Sequence, residues 1–256
     1  MVKMSGAAEI AVSLKAIERR FETKTVLEGL NLNLVSGELT ALIGPSGCGK
    51  STLLRLIAGL DQPDGGSLVR SEAALDLGFV FQEPALVPWR TVLGNVVLPL
   101  ELVEIPKRER EARAMDPLRV VGLDTAGDLY PDALSGGMKM RVALARAVVT
   151  DPGLLLLDEP FAALDDITRE RLNTYLLELF TQRDMTVVLV THALREAAYL
   201  ADRICLMSRE GGRIVLDVRV PFARPRSPEL CLSSPFAAFV ATVAAALRDT
   251  MAEEAA

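Results

Sequence analysis

The sequence predicts an α/β fold built on a mainly parallel β-sheet with a helical segment inserted into it. Two observations predict this fold class. Short apolar runs typical of strands alternate with helix-like segments along the 256 residues, and such alternation indicates parallel strands joined by helices. Between residues 82 and 151 the strand-like runs stop and a helix-and-loop pattern replaces them. The length fits one large domain with a sizeable insert.

The first part of the chain is predicted to contain three strands and a helix. Residues 10–17 and 26–34 alternate apolar with small or polar side chains, as half-buried strands do. Residues 39–43 form a short apolar run that ends in GPSGCGKST, and residues 53–60 then have helical character. Residues 61–67 (DQPDGGS) have the composition of a turn.

The rest of the chain is predicted to complete the sheet. Residues 154–157 (LLLL) and 186–191 (TVVLVT) are continuous apolar runs, as parallel strands covered on both faces require. Further strands are predicted at 78–81, 203–207 and 213–217, the last two at sheet edges; helices are predicted at 169–183, 194–201 and 236–251, and a linker at 224–228 (RPRSP). The Ala-rich C-terminal helix is interpreted as a plain surface helix or a dimer contact, and we favour the former.

Composition and charge exclude several classes of protein. The chain is 50% apolar, which excludes overall disorder. Lys and Arg number 28 against 34 Asp and Glu, and the net charge of −6 gives no general attraction to nucleic acid. The charged stretch 107–113 (KREREAR) is therefore interpreted as a solvated helix face.

Cysteine usage indicates a reducing compartment, and hydropathy predicts no membrane-spanning segment in this sequence. Cys48, Cys205 and Cys231 are too few and too scattered for a disulfide framework or a metal knuckle. We expect no signal peptide, because the N-terminus lacks an apolar core. The longest apolar candidate, 236–247, is shorter than the roughly 18 residues that span a bilayer.

The glycine-rich segment after residues 39–43 matches the phosphate-loop pattern GxxxxGK[ST]. Glycines let successive backbone N–H groups point at phosphate oxygens, and the helix that follows adds its positive N-terminal end. Lys50 is expected to reach the β- and γ-phosphates, and Ser51 to supply a hydroxyl to Mg²⁺. The predicted nucleotide-binding residues here are Gly44, Pro45, Ser46, Gly47, Cys48, Gly49, Lys50, Ser51 and Thr52. Cys48 is interpreted as a small side chain that fits the loop.

Two carboxylates and the single histidine follow predicted parallel strands. Asp158 and Glu159 come directly after LLLL, and His192 follows TVVLVT. Ligands of parallel α/β sheets bind at the carboxyl ends of strands. We expect Asp158 to hold the Mg²⁺ shell, Glu159 to polarise a water in line with the γ-phosphate, and His192 to contact that phosphate. A lone Asp-Glu pair is equally consistent with a solvated loop entry, and the phosphate loop favours the catalytic interpretation.

A further motif, Leu134-Ser135-Gly136-Gly137-Met138, resembles the LSGGQ signature of the ATP-binding-cassette (ABC) ATPases. The resemblance covers roughly residues 8–225. It implies the ABC ATPase fold, with a P-loop NTPase (RecA-like) core, an antiparallel β subdomain and an inserted helical subdomain. Ser135 and the N–H groups of Gly136 and Gly137 open a helix, which suits a second anion site. In the family this site binds the γ-phosphate held by another subunit, so the implied partner is a second copy in a head-to-tail dimer around two ATP molecules.

The resemblance assigns roles to further positions. Gln82 resembles the Q-loop glutamine, which senses Mg²⁺ and the attacking water, and Asp165 ends a D-loop (Ala162-Ala163-Leu164-Asp165) that crosses the dimer. His192 resembles the switch histidine. Phe21 lies where the family stacks an aromatic on adenine, with an ordinary core Phe as the alternative; it replaces the commoner tyrosine, as Met138 replaces glutamine. The implied cofactors are ATP and Mg²⁺, the catalytic residues Glu159, His192 and Gln82, and the metal-site residues Ser51, Gln82 and Asp158.

The resemblance also implies a domain organisation and a branch of the family. Residues 1–225 are expected to form the ATPase domain, with the helical subdomain at about 83–151, and residues 226–256 a linker and helix. The segment FQEPALVPWRTV, the LSGGM variant and DEPFAALDDITRERL resemble ATPases of nitrate, sulfonate and taurine importers. Trp89 is interpreted as a core anchor of the insert, as part of a groove for a permease helix, or as both. A large C-terminal regulatory domain is not expected.

These resemblances predict an ATPase that powers uptake of a small anionic solute. The implied partners are membrane permease subunits and, indirectly, a periplasmic solute-binding protein, with no nucleic acid. The expected location is the cytoplasmic face of the inner membrane, as a peripheral protein. An exporter or lipid-transport ATPase is the alternative, and a non-transport ABC protein is a weaker one because tandem cassettes and a long coiled-coil insert are lacking. A GTPase would need an NKxD-type guanine motif, which we do not find.

Overall fold

The computed structural model describes residues 9–253 apart from 23, 163, 183 and 184, and two β-sheets organise them. Three strands, in the order β2-β1-β4, form an antiparallel sheet. Six strands, in the order β5-β6-β7-β3-β8-β9, form a sheet that is parallel except for β9. The strands are β1 (Ile10–Phe21), β2 (Lys24–Val35), β3 (Leu39–Ile43), β4 (Gly65–Arg70), β5 (Leu77–Val80), β6 (Leu154–Asp158), β7 (Thr186–Val190), β8 (Arg203–Met207) and β9 (Ile214–Arg219).

Helices connect the parallel strands and form the predicted insert between β5 and β6. The insert contains α2 to α5, and α5 packs against α2, α4 and β5. The helices are α1 (Lys50–Ala58), α2 (Val92–Val96), α3 (Leu98–Leu102), α4 (Lys107–Val120), α5 (Gly136–Val148), α6 (Asp166–Gln182), α7 (Leu194–Leu200) and α8 (Ser234–Glu253), with short 3₁₀ turns at Ala73–Leu75, Pro131–Ala133 and Pro228–Leu232. Within the described part of the chain, no helix combines the length and apolar character needed to cross a bilayer.

The larger sheet is covered on both faces, and β6 shows why. Leu155 and Leu157 belong to a core that also contains residues of the inserted helices. Leu154 and Leu156 belong to a second core shared with α1 and the antiparallel sheet. Because successive strand side chains point to opposite faces, both sets must be apolar. The carboxylates at the end of β6, Asp158 and Glu159, are thus held by a strand that packs on both faces.

Two predicted elements are corrected by the structure. The turn predicted at 61–67 overlaps β4, because Gly65 and Gly66 open a strand. A Cβ at Gly66 would lie 2.3 Å from the Ala16 carbonyl oxygen, so these glycines allow β4 to approach β1 closely rather than ending the chain segment in a turn. The strand at 203–207 was predicted at an edge, but β8 lies between β3 and β9 and is fully buried at Cys205.

The C-terminal helix is not the plain surface helix that we favoured. Phe236 is fully buried, and its ring lies 5.7 Å from that of Phe222. The predicted linker is also fixed, because Arg226 donates to the Tyr199 carbonyl at 2.8 Å and to the Ala201 carbonyl at 2.7 Å. The sequence suggested exposure because alanines dominate α8, whereas a few larger side chains attach the helix to α7.

Candidate active site

The glycine-rich loop joins β3 to α1 and is seated tightly against β2. Its last glycine, Gly49, caps α1 with a φ of 102°. A Cβ at this position would lie 2.8 Å from Leu27 Cδ2 and 3.0 Å from Val26 Cγ1. Both the left-handed conformation and the close approach therefore require glycine. The helix begins at Lys50, earlier than the predicted start at 53, so Ser51 and Thr52 lie in its first turn.

Lys50 lies inside this loop with its ammonium held by backbone. Its Nζ donates to the Gly44 and Pro45 carbonyl oxygens, each at 2.8 Å. The side chain is largely buried, and the neighbouring Cys48 is fully so. Burial raises the pKa of the Cys48 thiol, which agrees with its interpretation as a small packing residue. Ser51 is exposed at the start of α1.

Asp158 ends β6 as a buried carboxyl beside α1. Its Oδ1 has no hydrogen-bond partner among the described residues. Burial raises the pKa of the Asp158 carboxyl, and a hydrogen bond from the Ser51 hydroxyl opposes that rise. A buried oxygen without a donor is unfavourable unless a cation or donor completes it. Asp158 and Ser51 therefore form a pair of oxygen donors suited to a hard cation.

Glu159 and His192 meet where β6 and β7 end. The Glu159 amide donates to the Val190 carbonyl at 3.0 Å, and Glu159 Oε2 lies 3.3 Å from His192 Nδ1. Glu159 has a φ of 50°, an uncommon conformation for a non-glycine residue that is found preferentially at functional sites. The His192 side chain is two-thirds exposed. The predicted carboxylate and histidine thus share one edge of the sheet.

A buried carboxyl behind His192 escaped the sequence analysis. Glu196 in α7 is 8% exposed. Burial raises the pKa of its carboxyl, and a hydrogen bond from the Thr191 side chain opposes that rise. Thr191 Oγ1 also accepts from the Ala193 amide at 3.0 Å, so one hydroxyl fixes the turn that carries His192. The only sequence signal was an acidic residue in the first turn of a helix, where it is common.

The residues expected from family resemblance occupy more scattered positions. Gln82 is exposed just after β5, the neighbour of β6 in the sheet. Phe21 is 45% exposed at the end of β1, with the Arg19 guanidinium 4.5 Å from its ring centroid, so it is not an ordinary core Phe. Ser135 caps α5, and its Oγ accepts from the Met138 amide at 3.3 Å. Gly136 and Gly137 form the first residues of that helix.

Asp165 lies at the start of α6 and caps it. Its Oδ1 accepts from the Thr168 amide at 2.9 Å, and hydrogen bonds from Thr168 lower the pKa of the Asp165 carboxyl. Ala163, in the middle of the predicted D-loop, lies outside the described residues. Arg169 donates to the Leu164 carbonyl at 2.7 Å and so fixes the chain just before Asp165.

A second arginine also fixes a loop that the sequence analysis singled out. Arg146 on α5 donates to the Ala85 and Pro84 carbonyl oxygens at 2.9 and 3.0 Å. This ties the helix that begins at Ser135 to the segment that follows Gln82. An arginine on a helix has no local sequence marker of a distant backbone partner, so neither Arg146 nor Arg169 could have been assigned this role in advance.

Known proteins resemble the chain in sequence and structure. The family described as "ABC transporter" matches residues 27–162. The aliphatic sulfonates import ATP-binding protein SsuB 1 of Mesorhizobium japonicum is 48% identical, over 84% of this chain and 82% of the relative. SsuB 2 of Pseudomonas aeruginosa is 45% identical, over 85% and 78%. The dimeric post-hydrolysis structure of the ATP-binding cassette MJ0796 bound to ADP and Pi matches with a TM-score of 0.76 at 32% identity, over 83% of this chain and all of that one.

Proposed function

Because this chain belongs to the ABC transporter family of ATP-binding subunits, we propose that it powers import of a small anionic solute of the aliphatic sulfonate class. Family membership makes the chain an ATP-hydrolysing subunit, and its relatives named as import ATP-binding proteins make the transporter an importer. The sulfonate class is supported by the names of the relatives that are 45% and 48% identical. Nitrate and taurine are the neighbouring possibilities that the sequence motifs leave open.

The contact between Glu159 and His192, beside Asp158 and the glycine-rich loop, carries the proposed catalytic assignment. Glu159 acts as the general base that takes a proton from the attacking water. His192 contacts the γ-phosphate and orients Glu159 through the 3.3 Å contact. Lys50, Ser51 and the loop N–H groups hold the phosphates. Gln82, one strand away from Glu159, senses the water and the metal.

Mg²⁺ fits the donors at this edge. Among the described residues no three His, Cys, Asp or Glu side chains cluster into a metal site of their own. Mg²⁺ is commonly held by one or two carboxylates together with substrate phosphates, and the unpartnered Oδ1 of Asp158 beside Ser51 supplies the protein part of such a set. When bound, Mg²⁺ neutralises charge on the transferred phosphoryl group. Asp158 and Ser51 then hold the ion while Glu159 accepts the proton.

A second copy of the chain is proposed to complete each ATP site. Ser135 and Gly136 are exposed, and a Cβ at Gly136 would meet nothing within 4 Å. The N-terminus of α5 is therefore open to an anion, which suits the γ-phosphate held by the other copy. In this arrangement Asp165 lies where the two copies meet. Phe21 stacks on the adenine base. Two structures of the MJ0796 cassette that match this chain are dimeric, which supports this arrangement.

The inserted helices carry an apolar surface suited to a permease helix. Arg90 contacts Glu101 of α3 at 2.5 Å, and the Val92 amide donates to the Leu129 carbonyl at 2.8 Å. These contacts join the segment around Arg90 to α3 and to the loop that contains Leu129. Their exposed apolar side chains are Trp89 (77% exposed), Leu102, Val103, Leu129 and Tyr130. Exposed clusters of this kind mark interaction sites. The interface interpretation of Trp89 is therefore preferred to that of a core anchor.

The assignment implies a location and a division of the chain. The protein attaches to permease subunits at the cytoplasmic face of the inner membrane, and a periplasmic solute-binding protein delivers the solute to that permease.

Residues 1–225 form the ATPase domain, with α2–α5 supporting a helical subdomain at 83–151. Residues 226–256 form a C-terminal extension that shares the core of that domain through Phe236.

The solute class is tested with the chain reconstituted in liposomes with its permease and solute-binding protein. Ethanesulfonate is expected to stimulate ATP hydrolysis, whereas ethanol, which has the same carbon chain without the anionic group, is not. Nitrate is measured alongside as an anion of a different class, and taurine, which is ethanesulfonate with an added amino group, shows whether that group is accepted. Equal stimulation by ethanol, stimulation by nitrate but by neither sulfonate, or stimulation by none of these solutes would reject the proposed solute class.

A further inference from the structure

A large cavity opens beside the catalytic edge, away from the glycine-rich loop. It lies between α6, α7 and the 3₁₀ turn Pro228–Leu232 and has a volume of about 900 Å³. We call it the α6–α7 cavity. Leu194, Tyr199 and Leu232 supply apolar wall, and no residue of the described loop 44–51 contributes to it. The volume lies within the range of small-molecule sites, roughly 300–1,000 Å³.

The wall of the α6–α7 cavity has an excess of negative charge. Its two arginines already have partners. Arg169 pairs with Asp166 at 2.8 Å, and Arg195 donates to the Cys231 carbonyl at 2.7 Å. The carboxylates Glu170 and Glu229 also line the cavity, and neither forms an ion pair with another described residue. The cavity therefore favours a cation over an anion.

One buried polar atom in this wall lacks a donor. Asn173 on α6 is 8% exposed, and its Oδ1 has no hydrogen-bond partner in the described part of the chain. Such an oxygen is unfavourable without a donor. Glu170 precedes Asn173 by three residues, so the two side chains share one face of α6. An amide and a carboxylate of α6 thus line the same side of the cavity.

From these three observations we propose that the α6–α7 cavity binds a small primary amine with an apolar body. The ammonium group faces the Glu170 carboxylate on the side of the cavity that Asn173 also lines, while the hydrocarbon part lies against Leu194 and Tyr199. His192 also borders the cavity.

The proposal is tested by calorimetry on the full chain without nucleotide, which separates it from the proposed ATPase function. The probe is 4-phenylbutylamine, and 4-phenylbutyrate is the control of opposite charge. The amine is expected to bind and the acid is not. Glu170→Gln weakens amine binding about fivefold, the scale of one partly solvated charge contact. Glu178→Gln, the same change on another exposed position of α6, leaves it unchanged.

Thiol protection provides a second readout at the same cavity. Cys231 lines the cavity and is half-buried, whereas Cys48 and Cys205 are buried, so N-ethylmaleimide modifies Cys231 first. The amine is expected to slow this reaction, and Cys231→Ser abolishes the signal. Equal binding of amine and acid, or equal effects of the Glu170 and Glu178 substitutions, would overturn the proposal. Protection by MgATP but not by the amine would also overturn it, since the cavity would then be a contact between two copies.

Discussion

Lys50 carries the one positive side chain in the glycine-rich loop, and its surroundings suit an ammonium. Two backbone carbonyls accept from its Nζ at 2.8 Å. The loop main chain contributes only partial charges, so the full charge near the phosphates comes from this residue. Its removal takes away the strongest phosphate contact that we propose for the loop, together with the donor to the Gly44 and Pro45 carbonyl oxygens.

Lys50→Ala is therefore expected to weaken ATP binding by roughly 100-fold, since a hydrogen bond to a charged group contributes up to about 3 kcal/mol. Titration of the purified variant with ATP measures this. Lys15→Ala removes a lysine from the exposed face of β1 and serves as the control. Unchanged affinity of the Lys50 variant would remove the loop from the binding site.

Gly49 tests the geometry of the same loop. Gly49→Ala adds a Cβ that lies 2.8 Å from Leu27 Cδ2 at a φ of 102°, and strain plus overpacking is expected to lower the free energy of unfolding by about 2–4 kcal/mol. Gly29→Ala also changes a glycine with positive φ, but nothing lies within 4 Å of the added Cβ. It is expected to cost only about 1 kcal/mol. Denaturant unfolding of both variants measures these losses. Similar losses of unfolding free energy in the two variants would contradict this account.

At the scale of elements, an ion pair reinforces the antiparallel pairing of β9 with β8. Arg203 on β8 donates through Nε to Asp217 Oδ1 on β9 at 2.6 Å, and a second bond joins the same two groups. This contact with Arg203 lowers the pKa of the Asp217 carboxyl below its ordinary value. The pair also anchors the smaller sheet, because Arg203 donates to the Asn33 carbonyl of β2 at 2.7 Å.

Asp217→Asn is expected to lower the free energy of unfolding by about 1 kcal/mol near pH 7, as a partly exposed pair does. A carboxyl whose pKa is lowered in the folded state contributes stability above its unfolded pKa, near 4, and loses it as pH falls through the folded value. The difference between wild type and variant should therefore shrink below about pH 4. Urea titrations at several pH values measure it, and a difference that grows with acidity would contradict the assignment.

The elements that the sequence could predict were those with a local signal. The continuous apolar runs predicted β6 and β7. The GxxxxGK[ST] motif predicted the candidate nucleotide site. The start of β4 was not predicted, because its two first glycines resemble a turn in sequence. They are needed instead for close packing against β1, a segment some 50 residues earlier in the chain. The roles of Glu196 and Arg146 were hidden for the same reason, because their partners are fixed only by the fold.

At the scale of the whole molecule, one chain carries the two groups of residues that we propose as separate halves of an ATP site. Lys50, Asp158 and Glu159 lie at the carboxyl edge of the parallel sheet, whereas Ser135 opens a helix of the insert. Within one chain Ser135 Oγ accepts from the amide of its own helix rather than from the loop. We propose that a complete site needs a second copy, with ATP between the two.

Glu159→Gln tests this claim most directly. The substitution keeps the shape of the side chain and the Asp158 carboxyl but removes the base, so hydrolysis should fall by about 10²–10⁴ while ATP binding survives. Sizing chromatography with MgATP is then expected to show the variant as a dimer, and Ser135→Arg added to it is expected to give a monomer because arginine fills the opposing anion site. Wild-type protein without nucleotide, expected to be monomeric, is the reference. A Glu159→Gln protein that remains monomeric at saturating MgATP, or a double variant that still dimerises, would contradict the shared site.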